Sequence, residues 1–344
     1  MIKIPPNKIL IIQTAFLGDL VLSTSLIEEL HAAFPQSEID VLVKKGMEEV
    51  LLFNPKIHEI ITWNKQENKN SGFFKIIGLV RRSKYDLIIN CHRFLSSGLI
   101  CAFSSAKYIT GFSNNPFSFL FNKKVPHRFT GSHETERNHQ LIGDLTGLKV
   151  YKPKIYPEAI ETSFIPEGQR YITIAPGSIW FTKKFHSQKW IEFIDSVPEN
   201  IQIVLLAGKA DKPLCDLIKK NTKSPSRICN LAGRLTMLQS AFIMQNAVLN
   251  YVNDSGPLHM CSAINAPVCV IYCSTTFSYG FGPLTDFSRI IEYDEPLPCK
   301  PCGVHGHQAC PKGHFICSFG IKTSRLLDAL NDAIKYSKDN YIEA

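Results

Sequence analysis

The chain has 344 residues, 44% of them hydrophobic and 20% charged, which allows about two domains and excludes wholesale disorder. No run approaches the roughly 18–20 apolar residues needed to cross a bilayer. The first apolar run, Ile9–Ile12, is broken by Gln13, Gly18 and Asp19 and lacks the pattern of a signal peptide. A soluble, cytoplasmic protein is therefore expected. The formal charge is +8, and residues 1–150 carry most of the surplus, with 18 Lys+Arg against 13 Asp+Glu. Lys44-Lys45, Arg81-Arg82-Ser83-Lys84, Lys123-Lys124 and Arg128 contribute to it. Such a bias suits either a solvated surface or an anionic partner, whether a lipid or an acidic substrate. Nucleic acid is disfavoured, because the basic residues are not interleaved with aromatics in one segment and no reading motif is present.

Along the chain, Lys8–Gln13 reads as a buried strand. A helix opened by Gly18-Asp19 follows, with Leu20, Leu22, Leu26, Ile27 and Leu30 on its apolar face and Pro35 at its end. Strands are predicted at 39–43, 57–63 and 87–90, with a helix over about 73–82. Lys152–Gln169, with Pro153, Pro157 and Pro166, breaks the rhythm and reads as a linker. The pattern then restarts, with strands at 171–175, 201–206, 229–231, 248–252 and 268–272. Helices are expected from about 189, between 206 and 229, and at 238–245, 256–264 and 323–336. The alternation predicts an α/β protein with two doubly wound domains in tandem, their ligand crevices at the carboxyl ends of the strands. The expected division is 1–155, 170–322 and a C-terminal helix, 323–344, packing back on the first domain.

Three segments carry candidate chemistry. Asp19, after the first strand, is either a helix cap or a carboxylate placed to act as a general base. The surrounding Thr14–Asp19 turn lacks the GxGxxG pattern, which disfavours a nicotinamide enzyme. Ala175-Pro176-Gly177-Ser178, followed by Lys183-Lys184-Phe185, offers backbone amides and a cation to an anion. Val252-Asn253-Asp254-Ser255-Gly256-Pro257-Leu258-His259 delivers a strand into a helix start suited to a diphosphate, or simply to ordinary capping with a core histidine.

Taken together, the Gly18-Asp19 turn, the 176–185 segment, NLAGRLT at Asn230–Thr236 and NDSGPLHM at Asn253–Met260 resemble the ADP-heptose:lipopolysaccharide heptosyltransferases of glycosyltransferase family 9. The wording is closest to the heptosyltransferase II branch, and the resemblance runs from Lys8 to about Ile291. It implies a GT-B fold, two Rossmann-like domains facing across a cleft, and inverting transfer with no metal needed for catalysis. The donor it implies is ADP-L-glycero-D-manno-heptose. The acceptor is the anionic lipopolysaccharide inner core, reached by peripheral contact with the inner membrane. By the same resemblance Asp19 is the base, and Gly18 and Arg93 lie on the acceptor side. Gly177, Ser178, Lys183 or Lys184, Asp211, Thr236, Asp254, Ser255, Gly256 and His259 lie on the donor side. The usual tryptophan and proline after the lysine read Phe185 and His186 here, which leaves the two lysines as alternatives. Readings kept open beside this one are a same-fold transferase or epimerase for another nucleotide-sugar, and a non-catalytic binding protein.

Eleven cysteines, an odd number, argue against a complete disulfide framework. Cys91, Cys101, Cys215, Cys229, Cys261, Cys269 and Cys273 lie in apolar segments, as small buried hydrophobes do. Cys299, Cys302, Cys310 and Cys317 are clustered among His305, His307 and His314. They leave three alternatives open: a structural zinc, reduced thiols packing a loop, or redox chemistry.

Overall fold

Short uncharged runs rich in Ile, Leu and Val bury both faces of a strand, and that requires helices on both sides of a parallel sheet. The computed structural model, which describes residues 5–65, 69–129, 131–166 and 168–341, is built this way twice. It divides into units Met1–Tyr156 and Pro157–Ala344.

The first unit runs β1 (Lys8–Gln13), α1 (Leu17–Ala33), β2 (Glu38–Lys44), β3 (Glu59–Trp63), α2 (Lys69–Ser83), β4 (Leu87–Asn90) and α3 (Leu95–Ala102). It continues through β5 (Tyr108–Phe112), β6 (Lys123–Val125), α4 (Glu134–His139) and α5 (Gly143–Thr146). Its sheet has the order β3-β2-β1-β4-β5-β6, with every neighbouring pair parallel.

The second unit runs β7 (Tyr171–Ala175), α6 (Ser187–Ser196), β8 (Gln202–Leu205), α7 (Lys212–Asn221), β9 (Ile228–Asn230) and α8 (Met237–Gln245). Then come β10 (Asn250–Asn253), α9 (Gly256–Ala263), β11 (Val268–Tyr272), β12 (Ser288–Glu292), α10 (Ile316–Phe319) and α11 (Ser324–Tyr341). Its order, β12-β11-β10-β7-β8-β9, is also parallel throughout. Counted from the start of each unit, both sheets read 3-2-1-4-5-6, the doubly wound order. In each, the order reverses between the first and fourth strands: β1 and β4 in one unit, β7 and β10 in the other.

Several boundaries differ from the sequence pattern for local reasons. The strand expected at 248–252 starts later, at Asn250. That residue is fully buried, and its amide donates to the carbonyls of Met244 and Pro267 and accepts from Thr173 Oγ1. β5, β6 and β12 have no counterpart in the prediction, because they are short and carry glycine or charge (Gly111, Lys123-Lys124, Arg289). The described residues between Thr146 and Tyr171 form neither helix nor strand, and the boundary between the units falls among them.

The C-terminal helix, α11, is part of the second unit's core. Leu326, Ala329, Leu330 and Ala333 repeat at helical spacing and are buried with Trp190 and Phe193. Tyr251 Oη donates to the Leu326 carbonyl at 2.7 Å, and Arg325 donates to the Glu292 carbonyl at 2.7 Å. Residues 342–344 of the predicted segment lie outside the described residues. Leu330→Ala removes a buried side chain from this seam and is expected to cost the second unit about 2–4 kcal/mol, read as a lower denaturation midpoint.

Candidate active site

In doubly wound sheets the strand-order reversal opens a crevice at the carboxyl ends of the two diverging strands. Each predicted segment follows one of these strands. In the first unit, Gly18 and Asp19 follow β1 and Arg93 follows β4; in the second, Pro176-Gly177-Ser178 follows β7 and Asp254-Ser255-Gly256 follows β10.

Asp19 is half-buried in the first turn of α1. Phe16, rather than Asp19, is the N-cap. The backbone N–H groups of Phe16 and of Asp19 itself favour the ionised carboxylate. Burial and the nearby Glu134 carboxylate push Asp19 up to about 6, against the opposing pull of Arg93.

Behind Asp19 stands a charged network that sequence reasoning missed. Glu134, Arg137 and His127 are all buried. Glu134 accepts from Arg137 Nε at 2.7 Å and from His127 Nε2 at 3.1 Å. Arg93 donates to His127 Nδ1 at 3.1 Å. A guanidinium can only donate, so His127 Nδ1 is the acceptor and the ring proton sits on Nε2, facing Glu134. Burial pushes Glu134 up, but the hydrogen bond from His127 and the Arg137 guanidinium overcome it and hold the carboxyl below its usual range. Arg93 and Arg137 also lie over the Phe129 ring, 5.6 and 5.3 Å from its centroid. Next to them, His92 bonds Thr14 Oγ1 at 3.3 Å, and Lys65 donates to the same hydroxyl at 3.0 Å. Burial, with the charges of Lys65 and Arg93, holds His92 down to about 3, so its ring is neutral. The sequence signal for the network was the dense run His127-Arg128…His133-Glu134…Arg137, whose partners only the fold reveals.

In the second unit the two candidate lysines separate. Lys183 Nζ pairs with Asp254 at 2.7 Å, and Lys184 Nζ pairs with Asp211 at 2.8 Å. Asp254 also accepts from Thr275 Oγ1 at 2.6 Å. Lys183 therefore belongs to the Asn253–Gly256 turn, and Lys184 to the side where Gly177 lies. A Cβ at Gly177 would fall 2.3 Å from Asp211 Oδ2, so a larger residue there must displace the Asp211 carboxylate that pairs with Lys184. Asn253, fully buried, ties these pieces together: its amide donates to the Pro176 and Gly177 carbonyls and accepts from the Phe185 N–H. Ser255 is the N-cap of α9 but makes no side-chain cap bond, and Pro257 sits in the first turn. Pro257 has no N–H and the Leu258 N–H donates to the Ser255 carbonyl at 3.1 Å, so the Gly256 N–H is the amide of this turn that the N-cap side chain leaves for an anion. Ser178 is half-buried beside Gly177, and His259 is buried in α9 with its ring edge toward Phe281. Thr236 behaves as a helix cap. Its hydroxyl accepts from the Gln239 N–H at 3.1 Å and donates to Glu158 at 3.2 Å.

The cysteine segment abuts this site. His307 N–H donates to Thr182 Oγ1 at 2.7 Å, the Thr182 N–H donates back to the His307 carbonyl, and the Cys302 N–H donates to the Ser274 carbonyl at 2.7 Å. A Cβ at Gly306, where φ is +76°, would press on Thr182, Ser274 and Lys183. The loop thus props the turn that carries Lys183. All eleven cysteines are free thiols. Among the described residues no three His, Cys, Asp or Glu side chains are grouped to hold a metal. Instead Cys299 Sγ lies 3.7 Å from His314 Nε2, Cys302 Sγ donates to the Cys299 carbonyl, and Cys317 is buried, its thiol pushed up to about 12. Cys310 packs against the second unit's core.

Comparison with known proteins gives a consistent result. The family model for Glycosyltransferase family 9 (heptosyltransferase) matches residues 73–309. Lipopolysaccharide heptosyltransferase 3 of Escherichia coli is 26% identical over 278 residues, 76% of this chain and 82% of that protein. Lipooligosaccharide heptosyltransferase 2 of Haemophilus ducreyi is 26% identical over 301 residues, 79% of this chain and 85% of that protein. Among solved structures, E. coli ADP-heptose lps heptosyltransferase II superposes with a TM-score of 0.78 at 23% identity, covering 96% of this chain and 99% of that one. The fold class is accordingly GT-B, each unit supplying one Rossmann-like half.

Glu134→Gln leaves Arg137 buried beside a neutral partner, and a loss of about 3–5 kcal/mol from the first unit is expected. With the Glu134 charge removed, Asp19 is expected to titrate below 6, as read by carboxyl-selective NMR against pH.

Proposed function

Since the chain belongs to glycosyltransferase family 9, we propose that it transfers heptose from ADP-L-glycero-D-manno-heptose to the lipopolysaccharide inner core, as a heptosyltransferase II-like inverting enzyme. The observation that carries this reading is the convergence of Lys183, Asp254, the Gly177 loop and the uncapped start of α9 at the strand-order reversal of the second unit. The near-complete mutual coverage with E. coli heptosyltransferase II supports the type, while relatives named heptosyltransferase 2 and 3 match at equal identity.

An acceptor hydroxyl is far too weak an acid to ionise alone near neutral pH, so it must lose its proton as it attacks. In the proposed mechanism the Asp19 carboxylate takes that proton while the hydroxyl oxygen bonds to the anomeric carbon. The bond from that carbon to the diphosphate breaks, and ADP leaves with the electron pair. An Asp held near 6 is mostly ionised at pH 7, yet is a stronger base than an ordinary carboxylate. Lys183 and the Gly256 N–H at the start of α9 supply positive charge where the leaving group develops its negative charge. Arg93 and Lys65 give the acceptor side its affinity for acidic sugar and phosphate. Cytoplasmic residence with peripheral attachment to the inner membrane completes the proposal; among the described residues no helix is long and apolar enough to cross a membrane.

The test is a donor panel followed by transfer. ADP-heptose is expected to raise the melting temperature of the protein, and ADP release is expected only with acceptor present. Stabilisation by a different nucleotide-sugar alone would reassign the donor, and donor binding without turnover would make the chain a binding protein. Asp19→Ala is expected to lower turnover by about 10²–10⁴ with donor binding retained. Wild-type kcat/KM should fall as pH drops through about 6, because protonated Asp19 cannot accept a proton. Gly177→Ala, which drives Asp211 from its position, is expected to weaken donor binding by about tenfold, seen as a smaller thermal shift.

A further inference from the structure

Helix α3 (LSSGLICA) turns Ser97, Gly98, Ile100 and Cys101 inward, yet its other face is also apolar. Leu95, Leu99 and Phe103 recur every four residues and share one side of the helix. Leu95 is 56% exposed and Phe103 is 50% exposed, while Leu99 is half-buried. A helix apolar on both sides needs a second cover.

The stripe widens onto a neighbouring turn. Asn115 donates to the Phe94 carbonyl and to Ser97 Oγ, and Phe117 lies against Gly98, which fixes the 115–120 segment beside α3. Phe117 stacks on Phe119, 5.9 Å between centroids, and Phe119 and Leu120 are 68% and 48% exposed. Exposed aromatic and aliphatic side chains grouped on neighbouring elements in this way suit an interaction site.

The charge around it is one-sided. Residues 69–129 contain ten Lys+Arg and a single acidic residue, Asp86, which is already paired with Lys107 at 2.7 Å. On α2, which packs on α3, Phe74 and the exposed Arg81 and Arg82 are spaced to share a face. Lys124, also exposed, follows Leu120 by four residues.

We propose that the outer face of α3 and the 118–120 turn is a docking surface for an anionic lipid bilayer, with Leu95, Phe103, Phe119 and Leu120 entering the acyl boundary and Arg81, Arg82 and Lys124 meeting the headgroups. Apolar insertion and basic attraction reinforce each other in peripheral binding, each cation contributing about fivefold in affinity. A second copy of the chain fits less well, because two such faces would oppose like charges. This deepens the membrane part of the proposed function and does not depend on the identity of donor or acceptor.

Vesicle flotation of the full-length chain tests it. The protein is expected to float with phosphatidylglycerol-containing vesicles, to do so less as salt rises, and to bind pure phosphatidylcholine weakly. Phe103→Ser/Phe119→Ser/Leu120→Ser and, separately, Arg81→Glu/Arg82→Glu/Lys124→Glu are each expected to lose at least about tenfold in vesicle affinity. Both should keep the wild-type circular dichroism spectrum and turnover on a delipidated acceptor. Wild-type protein that stays unbound, binds both vesicle types equally, or binds undiminished in both variants overturns the proposal. So does a wild-type dimer in sedimentation that either variant converts to monomer. Turnover failing on delipidated acceptor while flotation succeeds would instead count against the transferase reading alone.

Discussion

Parallel neighbouring strands whose connections leave toward opposite faces of a sheet cannot close the space beyond their carboxyl ends. That constraint organises both halves of this protein. In the first unit it separates the chain leaving β1 from the chain leaving β4, and in the second it does the same for β7 and β10. Whatever side chains occupy the first residues beyond those four strands face the opening, and nearly all the candidate chemistry lies there. One opening holds a carboxylate raised by burial and a buried acidic neighbour, and the other holds a lysine paired with Asp254 beside a helix start.

Much of this was readable without coordinates because it depends on short-range pattern. β1, β7 and β11 are short runs dominated by buried apolar residues, and their bounds matched the prediction to within a residue. The Asn253–Gly256 segment was legible as a strand entering a helix start, because Pro257 suits the first helical turn. What was illegible depends on distance in sequence. Glu134 lies 115 positions beyond Asp19, and no local pattern ties it to that carboxylate. The choice between Lys183 and Lys184 could not be made from spacing, since adjacent residues in a turn diverge according to partners supplied by other loops. Nor could the role of the cysteine segment. Its backbone, through His307 and Cys302, holds the turn before Lys183, while the thiols are what drew notice in the sequence. For α11 the limit is similar: an amphipathic pattern shows that a helix has a face to bury and leaves open which core receives it.

The basic bias of the first half is likewise a composition that acquires meaning only in place. Part of it is internal, in the stack of Arg93 and Arg137 on Phe129. Part lies outside, on α2 and beside β6, next to aromatic side chains that the core does not use.

Asn253 carries a mechanical implication. One side chain grips the backbone after β7 and the backbone after the lysine pair, while its own strand continues into α9. These three stretches have little independent compliance, and a push on one is transmitted to the others as through a rigid yoke. An anion drawing Lys183 inward would therefore shift the glycine loop and the helix start in concert, so that the pocket responds as one body instead of three wandering ribbons.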